Sequence, residues 1–338
     1  MNIRENVSFS ELTTMRLGGN ARYVIEIQDA DDLIGAYDFA DEKSLPVVVL
    51  GGGSNTIARD GDFSGVILLN KIVGIEALSD NDGLTIIRCG SGVVLDVLVD
   101  FAVAHGLTGI ESMSLIPGTV GGAVVQNAGA YGQDLSQVLT KVSAYDAQKR
   151  QVVELDRDSL DFSYRQSIFN SSDRGHYFIT AIDIELRRGE ITDELYKSLQ
   201  AYLDEHNITN RSPLTVRQAV IDIRSNKLPD PAVEPSAGSF FHNVTVTDAQ
   251  ANQLRADYPD VPIFRMNDKN VLSAGWLIEK CGLKGKTIHG MRISDKAALV
   301  LINDSATSYA DLDVARSEIM SAVRDKFGLI LEQEPEEI

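Results

Sequence analysis

Two glycine-rich segments limit what the first half of this chain can fold around. Residues 51–55 read Gly-Gly-Gly-Ser-Asn and directly follow the β-branched run Val47–Leu50, which is typical of a buried strand. Three successive glycines leave consecutive backbone N–H groups unshielded, so this loop can wrap a phosphate. Residues 117–132 contain five further glycines, and a helix starting after Thr119 would point at a pyrophosphate. Either segment alone could equally be a set of turns, but the two together favour a dinucleotide site.

The two commonest nucleotide-binding motifs do not fit these segments. A Rossmann GxGxxG register that begins at Gly51 has Thr56 where the third glycine is needed, which disfavours that fold. Residues 285–287 read Gly-Lys-Thr like the end of a P-loop, but Lys280 occupies the position of its first glycine. A dinucleotide fold of another type is therefore expected.

Strand-like and helix-like patterns alternate along the chain, which predicts the α+β or α/β class. The apolar spacing predicts a helix over 93–104 and a long helix that starts at about Ser308 and is closed by Gly328. Thr192 is predicted to N-cap one helix, and Thr215 is predicted to N-cap another. The predicted strands are 47–50, 66–69, 84–88, 141–147, 177–186 and 298–303.

Charge and the apolar pattern exclude several classes of partner. The 49 acidic residues outnumber the 31 basic ones, and the net charge of −18 opposes binding to nucleic acid or to an anionic membrane. No apolar run matches a signal segment or a membrane span, so a cytoplasmic protein is expected. Cys89 and Cys281 lie far apart in the sequence and do not have the spacing of metal ligands. The five histidines do not have that spacing either. The cysteines are therefore interpreted as core residues, and no metal site is expected.

A few polar residues outside the glycine-rich segments are candidates for chemistry. Arg224 and Lys227 share a helix face, and two prolines fix the chain that leaves them, so a rigid cationic site for a carboxylate or phosphate is one interpretation. Ser239 lies beside two phenylalanines, but no GxSxG elbow surrounds it, which disfavours a hydrolase nucleophile. Arg165 is a further candidate. An ordinary solvated surface or turn is the alternative for each.

Eight short motifs follow one another along nearly the whole chain. They are TTMRLGG from Thr13, LGGGSN from Leu50, IPGTVGGAVVQNAGAYG from Ile116, YRQS from Tyr164, IRSNKLPDP from Ile223, AGSFFHN from Ala237, AGWLIEKCGLKG from Ala274 and LEQE from Leu331. In this order they resemble the UDP-N-acetylenolpyruvoylglucosamine reductase family, flavoenzymes of bacterial peptidoglycan synthesis. The region around Tyr196 resembles the subclass with an inserted tyrosine region.

The resemblance implies an α+β fold with an FAD-binding domain of the vanillyl alcohol oxidase (PCMH) type and a separate α/β substrate-binding domain. Implied bounds are 1–190 for the FAD domain, in two parts of about 1–70 and 71–190, 191–214 for an inserted helix-loop region, 215–327 for the substrate domain, and 328–338 for a C-terminal segment that carries the catalytic glutamate. Non-covalent FAD and NADPH would convert UDP-N-acetylglucosamine enolpyruvate to UDP-N-acetylmuramate. A monomer or weak oligomer is expected.

The resemblance also implies roles for single residues, carried over by motif position. Arg165 and Glu334 would stabilise the enolate-like intermediate, and Ser239 would donate the final proton. The implied FAD-binding residues are Gly51, Gly52, Gly53, Ser54, Asn55, Pro117, Gly118, Thr119, Gly121, Gly122, Gln126, Asn127, Gly129 and Ala130. The implied substrate-binding residues are Tyr131, Tyr164, Tyr196, Arg224, Lys227, Asn243, Glu279 and Lys280.

The end of the chain departs from the family's usual Leu-Glu-Pro-Glu-Val, because a glutamine replaces the proline and Pro335 follows Glu334. Glu334 is the preferred catalytic residue in this register, with Glu332 and Glu336 as alternatives. Two other functions stay open. An FAD oxidase on the same fold often tethers its flavin through a histidine near the first phosphate loop, and none lies between residues 50 and 64. A non-catalytic sugar-nucleotide binding protein would need no flavin.

Overall fold

The structure is a computed structural model that describes residues 1–266 and 268–338. These residues form two compact units, to which the chain contributes discontinuous segments. Unit 1 comprises Met1–Val7, Ala21–Gly52 and Ser64–Ser225. Unit 2 comprises Ser8–Asn20, Gly53–Phe63 and Asn226–Ile338.

Helices and strands alternate through both units, which confirms the predicted mixed class. In the described residues the helices are α1 (Phe9–Leu12), α2 (Ala30–Glu42), α3 (Leu95–Ala104), α4 (Val120–Val125), α5 (Lys197–Glu205), α6 (Pro213–Lys227), α7 (Asp248–Asp257), α8 (Ala274–Lys280) and α9 (Tyr309–Phe327). The strands are β1 (Asn2–Ser8), β2 (Asn20–Ile27), β3 (Val47–Leu50), β4 (Thr56–Ile57), β5 (Phe63–Asn70), β6 (Ile75–Asn81), β7 (Leu84–Gly90), β8 (Leu107–Thr108), β9 (Gly129–Ala130), β10 (Gln133–Asp134), β11 (Leu139–Asp146), β12 (Gln151–Asp156), β13 (Tyr177–Arg188), β14 (Ser236–Ser239), β15 (Val244–Val246), β16 (Ile263–Met266), β17 (Lys269–Leu272), β18 (Thr287–Ile288), β19 (Met291–Ile293), β20 (Val300–Asn303) and β21 (Glu336–Glu337).

Unit 1 contains two sheets and a hairpin. One sheet has the order β1-β2-β5-β3, and its β3 and β5 are parallel, with Val47 opposite Val66. The other has the order β12-β11-β13-β7-β6 with β8 alongside β13, and α3 buries Leu98 against it in a core that also holds Cys89. Burial of the Cys89 side chain raises the pKa of its thiol to about 12, as expected for a core cysteine.

Unit 2 is built on two small sheets and the long helix α9. The sheets have the orders β14-β20-β19-β18 and β15-β17-β16, and the short strands β21 and β4 pair in parallel. The core includes Ile319 of α9, Leu301 of β20 and Phe240, all fully buried or nearly so. Packing of these apolar side chains is what holds the two small sheets and the helix together.

The compact units do not follow the sequential bounds that the resemblance implied. The boundary at 190 falls inside unit 1, because α5 and α6 pack together and the buried Arg217 of α6 pairs with Asp96 of α3. The segments 8–20 and 53–63 belong to unit 2, because Met15, Leu17 and Ile57 lie in its core. The functional assignment of the predicted domains stays a prediction.

The predicted caps of α5 and α6 are wrong, although the apolar faces of both helices are buried. The Ile191 N–H donates to the Arg211 carbonyl at 3.0 Å, which holds the chain next to Thr192 in a non-helical segment. Helix α5 starts only after Tyr196. Helix α6 starts at Pro213, and the Ser212 hydroxyl accepts the Thr215 N–H at 3.2 Å. A proline at the first helical position loses no hydrogen bond, which favours this earlier start. In the part of the chain described, no helix combines the length and apolarity needed to span a bilayer.

Candidate functional site

The two glycine-rich segments lie against each other within unit 1. A Cβ atom on Gly51 would overlap the Thr119 hydroxyl, and one on Gly52 would lie 2.9 Å from the Gly118 Cα. Only glycine at 51 and 52 permits this approach. The arrangement therefore brings the two segments that sequence predicted for one pyrophosphate to the same place.

Helix α4 starts at the predicted residue, but its first amides bond within the protein. Thr119 is the N-cap, and its hydroxyl accepts the Gly122 N–H at 3.4 Å. The N–H groups of Val120 and Gly121 donate to the Val93 and Ser91 carbonyls, each at 2.8 Å. These three N–H groups already have partners within the protein. A pyrophosphate at this place would therefore bind mainly to other backbone N–H groups.

Arg165 is held by the end of the second glycine-rich segment. Its guanidinium donates to the Gly129 carbonyl at 3.0 Å and to the Asn127 carbonyl at 3.5 Å, and it lies 5.2 Å from the Tyr164 ring centre. Arg165, Asn127 and Tyr131 all have positive φ angles, of 57°, 39° and 49°. Such strained non-glycine conformations concentrate at functional sites. Sequence predicted these residues separately, and unit 1 brings them together.

Two of the three predicted substrate tyrosines of unit 1, Tyr131 and Tyr196, also lie together. Tyr131 occupies the turn between β9 and β10, and its ring packs edge to face on Tyr196 with ring centres 6.0 Å apart. Burial raises the Tyr131 pKa, and the charge of nearby Arg224 opposes this rise. Burial lowers the Arg224 pKa, and its Nε is buried without a hydrogen-bond partner among the described residues. An unpaired buried guanidinium N–H of this kind suits an anionic ligand.

A hydrogen-bond network around the buried Arg217 holds the backbone just before the second glycine-rich segment. Asp96 accepts two hydrogen bonds from Arg217, at 2.7 and 3.0 Å, and one from the Leu115 N–H at 2.8 Å. Arg224 donates to the Leu115 carbonyl at 3.2 Å, and Leu115 has a φ of 57°. Burial opposes ionisation of Asp96, but the bonds from Arg217 and Leu115 outweigh it and lower the carboxyl pKa. Leu115 is thus fixed through both of its backbone polar groups.

We expect Arg217→Ala to lower the free energy of unfolding by about 3 kcal/mol, because it leaves Asp96 without its buried partner. The network contributes above the ordinary carboxyl pKa of about 3.9 and is lost as pH falls through the lower folded-state pKa. Urea unfolding of the protein at neutral pH measures the change. Arg324→Ala is the control, since that side chain is 64% exposed, and it should change stability by less than about 0.5 kcal/mol. Equal effects of the two variants would contradict the assignment.

The rest of the first glycine-rich segment belongs to unit 2. Gly53 packs against the backbone of Leu12, and its carbonyl accepts the Thr14 N–H at 3.1 Å. Asn55 faces the C-terminal segment: its carbonyl accepts the Glu336 N–H at 2.9 Å, and its amide lies 3.5 Å from the Glu334 carbonyl. Ser54, between them, is half-buried.

Unit 2 brings Glu334 beside the segment that carries Ser239. Ser239 ends β14, opposite Val300 of β20, and is half-buried. The next residue along, Phe240, accepts the Glu334 N–H at 3.0 Å through its carbonyl. The next residue pair continues this antiparallel contact, because Phe241 forms an isolated β-bridge with Gln333. Two of the three predicted catalytic residues are therefore neighbours within one unit.

The alternative glutamates lie in other surroundings. Glu332 is exposed, and Glu336 is paired with Thr56 in the β21–β4 ladder. The Glu334 carboxylate is 13% exposed and lies 3.7 Å from His242 Nδ1. These surroundings favour Glu334 among the three, and the assignment stays a prediction. The sequence analysis did not name His242 as a site residue. Its place directly after Phe241 was the one sequence feature that could have indicated it.

The remaining predicted substrate residues of unit 2 are spread over several elements. The Asn243 side chain accepts the Ala274 N–H at the start of α8, at 3.1 Å. Glu279 pairs with Lys284, and Lys280 pairs with Asp260 and lies 5.3 Å from the Trp276 ring centre. Lys227 is the exposed last residue of α6. Among these described contacts, none joins Glu279 or Lys280 to Ser239, so their substrate roles stay predictions.

Comparison with known proteins agrees with this arrangement. The family model described as an FAD binding domain matches residues 21–154, and the one described as the C-terminal domain of UDP-N-acetylenolpyruvoylglucosamine reductase matches residues 230–338. These matches confirm the predicted FAD-binding domain and separate C-terminal domain. The contact between residues 51–52 and 118–119 suits FAD, because both glycine-rich backbones can reach one pyrophosphate there.

Curated relatives match over almost the full chain. The UDP-N-acetylenolpyruvoylglucosamine reductase of Dechloromonas aromatica (strain RCB) is 36% identical over 99% of both chains. That of Cupriavidus pinatubonensis is 38% identical over 93% of both. The crystal structure of the Thermus caldophilus enzyme of this name has a TM-score of 0.66 at 23% identity, over 99% of both chains, and shows the shared fold. This chain therefore belongs to the UDP-N-acetylenolpyruvoylglucosamine reductase family.

Proposed function

We propose that this chain catalyses its family's reaction with Arg165, Ser239 and Glu334 as catalytic residues. The chain is an FAD-dependent oxidoreductase of peptidoglycan biosynthesis that reduces UDP-N-acetylglucosamine enolpyruvate to UDP-N-acetylmuramate with NADPH. The observation that carries the residue assignment is the hydrogen bond between Glu334 and Phe240, which sets Glu334 next to the Ser239 segment. Arg165 lies in unit 1, and Ser239 and Glu334 lie in unit 2.

FAD, when bound, supplies the redox group that passes hydride from NADPH to the substrate. Within unit 1, the proposed residues that hold it are the adjoining backbones of 51–52 and 118–119 and Asn127. Ser54 and Asn55, which belong to unit 2, are further proposed FAD-binding residues. Asn127 is 5% exposed, and its side chain is committed to the Ser163 carbonyl and the Ser136 N–H. Its part in cofactor binding is therefore to hold the backbone of the loop in place.

Arg165 is suited to stabilise negative charge on the substrate. Reduction of the vinyl group at its terminal carbon places charge beside the substrate carboxylate, and a guanidinium stabilises it without any proton transfer. The Gly129 carbonyl holds one edge of this guanidinium at 3.0 Å. A charge that is already oriented needs little rearrangement as the reaction proceeds.

Ser239 and Glu334 are suited to complete the reaction. The serine hydroxyl is a weak acid, but a carbanion next to a carboxylate is basic enough to take its proton. Glu334 can donate a hydrogen bond to the developing enolate only when its carboxyl is protonated. Their adjacency in unit 2 supports a shared role in this second step.

The proposed substrate residues divide by unit. In unit 1, the partly unpaired Arg224 lies close enough to Tyr131 to influence its pKa, and Tyr131 contacts Tyr196, so this group suits an anionic and aromatic ligand such as a nucleoside diphosphate. Tyr164 contacts Arg165. In unit 2, the proposed residues are Lys227, Asn243, Glu279 and Lys280. A cytoplasmic monomer or weak oligomer is part of the same proposal.

Anaerobic turnover tests this proposal directly. NADPH consumption should depend on UDP-N-acetylglucosamine enolpyruvate, and mass spectrometry should find a product that has gained two hydrogen atoms. Acid precipitation should release the flavin, because its binding is non-covalent. Turnover that requires oxygen, with a flavin that stays in the precipitate, would instead identify an oxidase.

A further inference from the structure

The last residues of the chain are tied to the strand that follows the first glycine-rich segment. Strand β21 runs parallel to β4, with Glu336 opposite Thr56. The Ile338 N–H donates to the Ile57 carbonyl at 2.9 Å, and the Ile338 carbonyl accepts the Arg59 N–H at 3.0 Å. Two residues of ladder alone would hold this segment weakly, because backbone pairs this short fray.

The Glu337 carboxylate adds a second attachment through both of its oxygens. Arg59 donates two hydrogen bonds to Oε2, at 3.1 and 2.8 Å. Oε1 accepts from Arg316 at 2.6 Å and from the Tyr309 hydroxyl at 3.0 Å, both on helix α9, and from the Gln333 amide at 3.2 Å. We name these five residues, Arg59, Tyr309, Arg316, Gln333 and Glu337, the Glu337 clamp.

The clamp is unlike an ordinary surface ion pair. The side chains of Glu337 and Arg316 are only 21% and 19% exposed, and Arg316 is oriented further by Asp313. Burial by itself opposes ionisation of Glu337, but the bonds from Arg59, Arg316, Tyr309 and Gln333 outweigh it and lower the carboxyl pKa to about 2. Glu337 is therefore charged throughout the neutral range, and its hydrogen bonds are of the stronger, charge-assisted kind.

The clamp is connected to Glu334 through a very short stretch of chain. Gln333 donates from one amide group both to Glu337 and to the Pro335 carbonyl, the latter at 2.8 Å. It thus closes the turn that contains Glu334. On the other side, the Glu334 N–H is fixed to the Phe240 carbonyl. Glu334 therefore lies between two attachments, the Phe240 carbonyl that accepts its N–H and the clamp that holds the residues after it.

We infer that Glu337 is a positioning residue for the reaction, and that its clamp fixes the C-terminal segment so that Glu334 is held beside Ser239. This inference rests on the proposed function of Glu334. It assigns Glu337 no contact with substrate or flavin. Its role is to keep the Glu334 carboxylate in one place, and small displacements of a reacting group are costly to rate.

Glu337→Gln tests the inference, because it keeps the shape of the side chain and removes its charge. In anaerobic stopped-flow experiments on the holoenzyme, reduction of the flavin by NADPH should stay within about twofold of the wild-type rate. Reoxidation by UDP-N-acetylglucosamine enolpyruvate should slow by about 10-fold to 100-fold. Glu318→Gln makes the same change at a 57% exposed position of α9 and should leave both rates unchanged.

Two further measurements separate positioning from a general loss of structure. Adding Glu337→Gln to Glu334→Ala should cause no further slowing, because the clamp acts only through Glu334. Hydrogen exchange should speed up at the amides of 334 and 336–338 and stay unchanged in β14 and α9. If Glu337→Gln does not fold, Tyr309→Phe removes two hydrogen bonds of the clamp, from the Tyr309 hydroxyl to Glu337 and from Arg316 to that hydroxyl, without removing charge. It should slow reoxidation alone by about twofold to fivefold.

The outcomes distinguish the inference from the function on which it rests. Wild-type reoxidation in Glu337→Gln, equal slowing of both half-reactions, or additive effects in the double variant would overturn the positioning role while Glu334 kept its own. Wild-type reoxidation in Glu334→Ala would overturn the proposed role of Glu334, and the inference with it.

Discussion

Ser239→Ala is expected to leave reduction of the bound flavin by NADPH nearly unchanged and to slow its reoxidation by the enolpyruvyl sugar nucleotide by about 100-fold to 10,000-fold. Only the second half-reaction needs a proton donor, and loss of a general acid has an effect of this size. Stopped-flow absorbance of the flavin, without oxygen, measures the two steps separately.

The control for this prediction is on the same strand. Ser236 begins β14, and its hydroxyl is buried without a hydrogen-bond partner among the described residues, so Ser236→Ala removes the same atom at no cost in bonding. It should leave both half-reactions unchanged. Equal slowing of the two half-reactions in Ser239→Ala would show a structural defect and would remove Ser239 as the proton donor.

Arg165→Lys is expected to slow reoxidation of the flavin by about 100-fold, although the positive charge is kept. Lysine has no planar fork, so it cannot bond the Gly129 and Asn127 carbonyls in the way that orients the guanidinium. Rates of reoxidation at saturating substrate separate this effect from a loss of affinity.

The matched control is Arg187→Lys in the same unit. Arg187 is an exposed residue near the end of β13, and the same exchange there should leave both half-reactions unchanged. If Arg165→Lys turns over like the wild type, Arg165 has no part in the chemistry, and the strained conformations at 127, 131 and 165 need another explanation.

Local sequence patterns predicted the elements whose signals lie within the element itself. Helix α9 starts at Tyr309, one residue after the predicted start at about Ser308, and Gly328 closes it as predicted, with a φ of 65°. Ser308 is its N-cap and exchanges hydrogen bonds with Asp311. Strand β3 has the predicted bounds. The caps of α5 and α6 were wrong, because a contact with Arg211 and the proline at 213 decided those starts instead of the nearest threonine.

The parts of the site that sequence reasoning missed depend on long-range contacts. Arg217 and Asp96 are 121 positions apart, and Arg59 and Glu337 are 278 apart. Neither pair has a local pattern, since each residue alone resembles an ordinary surface charge. The segments 8–20 and 53–63 show the same effect, because Met15, Leu17 and Ile57 pack in the core of unit 2 against residues far along the chain.

The visible spectrum of the purified protein through one anaerobic cycle tests the central claim most directly. NADPH is added first, and UDP-N-acetylglucosamine enolpyruvate second. We expect the flavin absorbance to bleach on the first addition and to return on the second, with no oxygen present. A flavin that recovers only when air is admitted, or a protein that neither contains FAD nor binds it when supplied, would contradict the account.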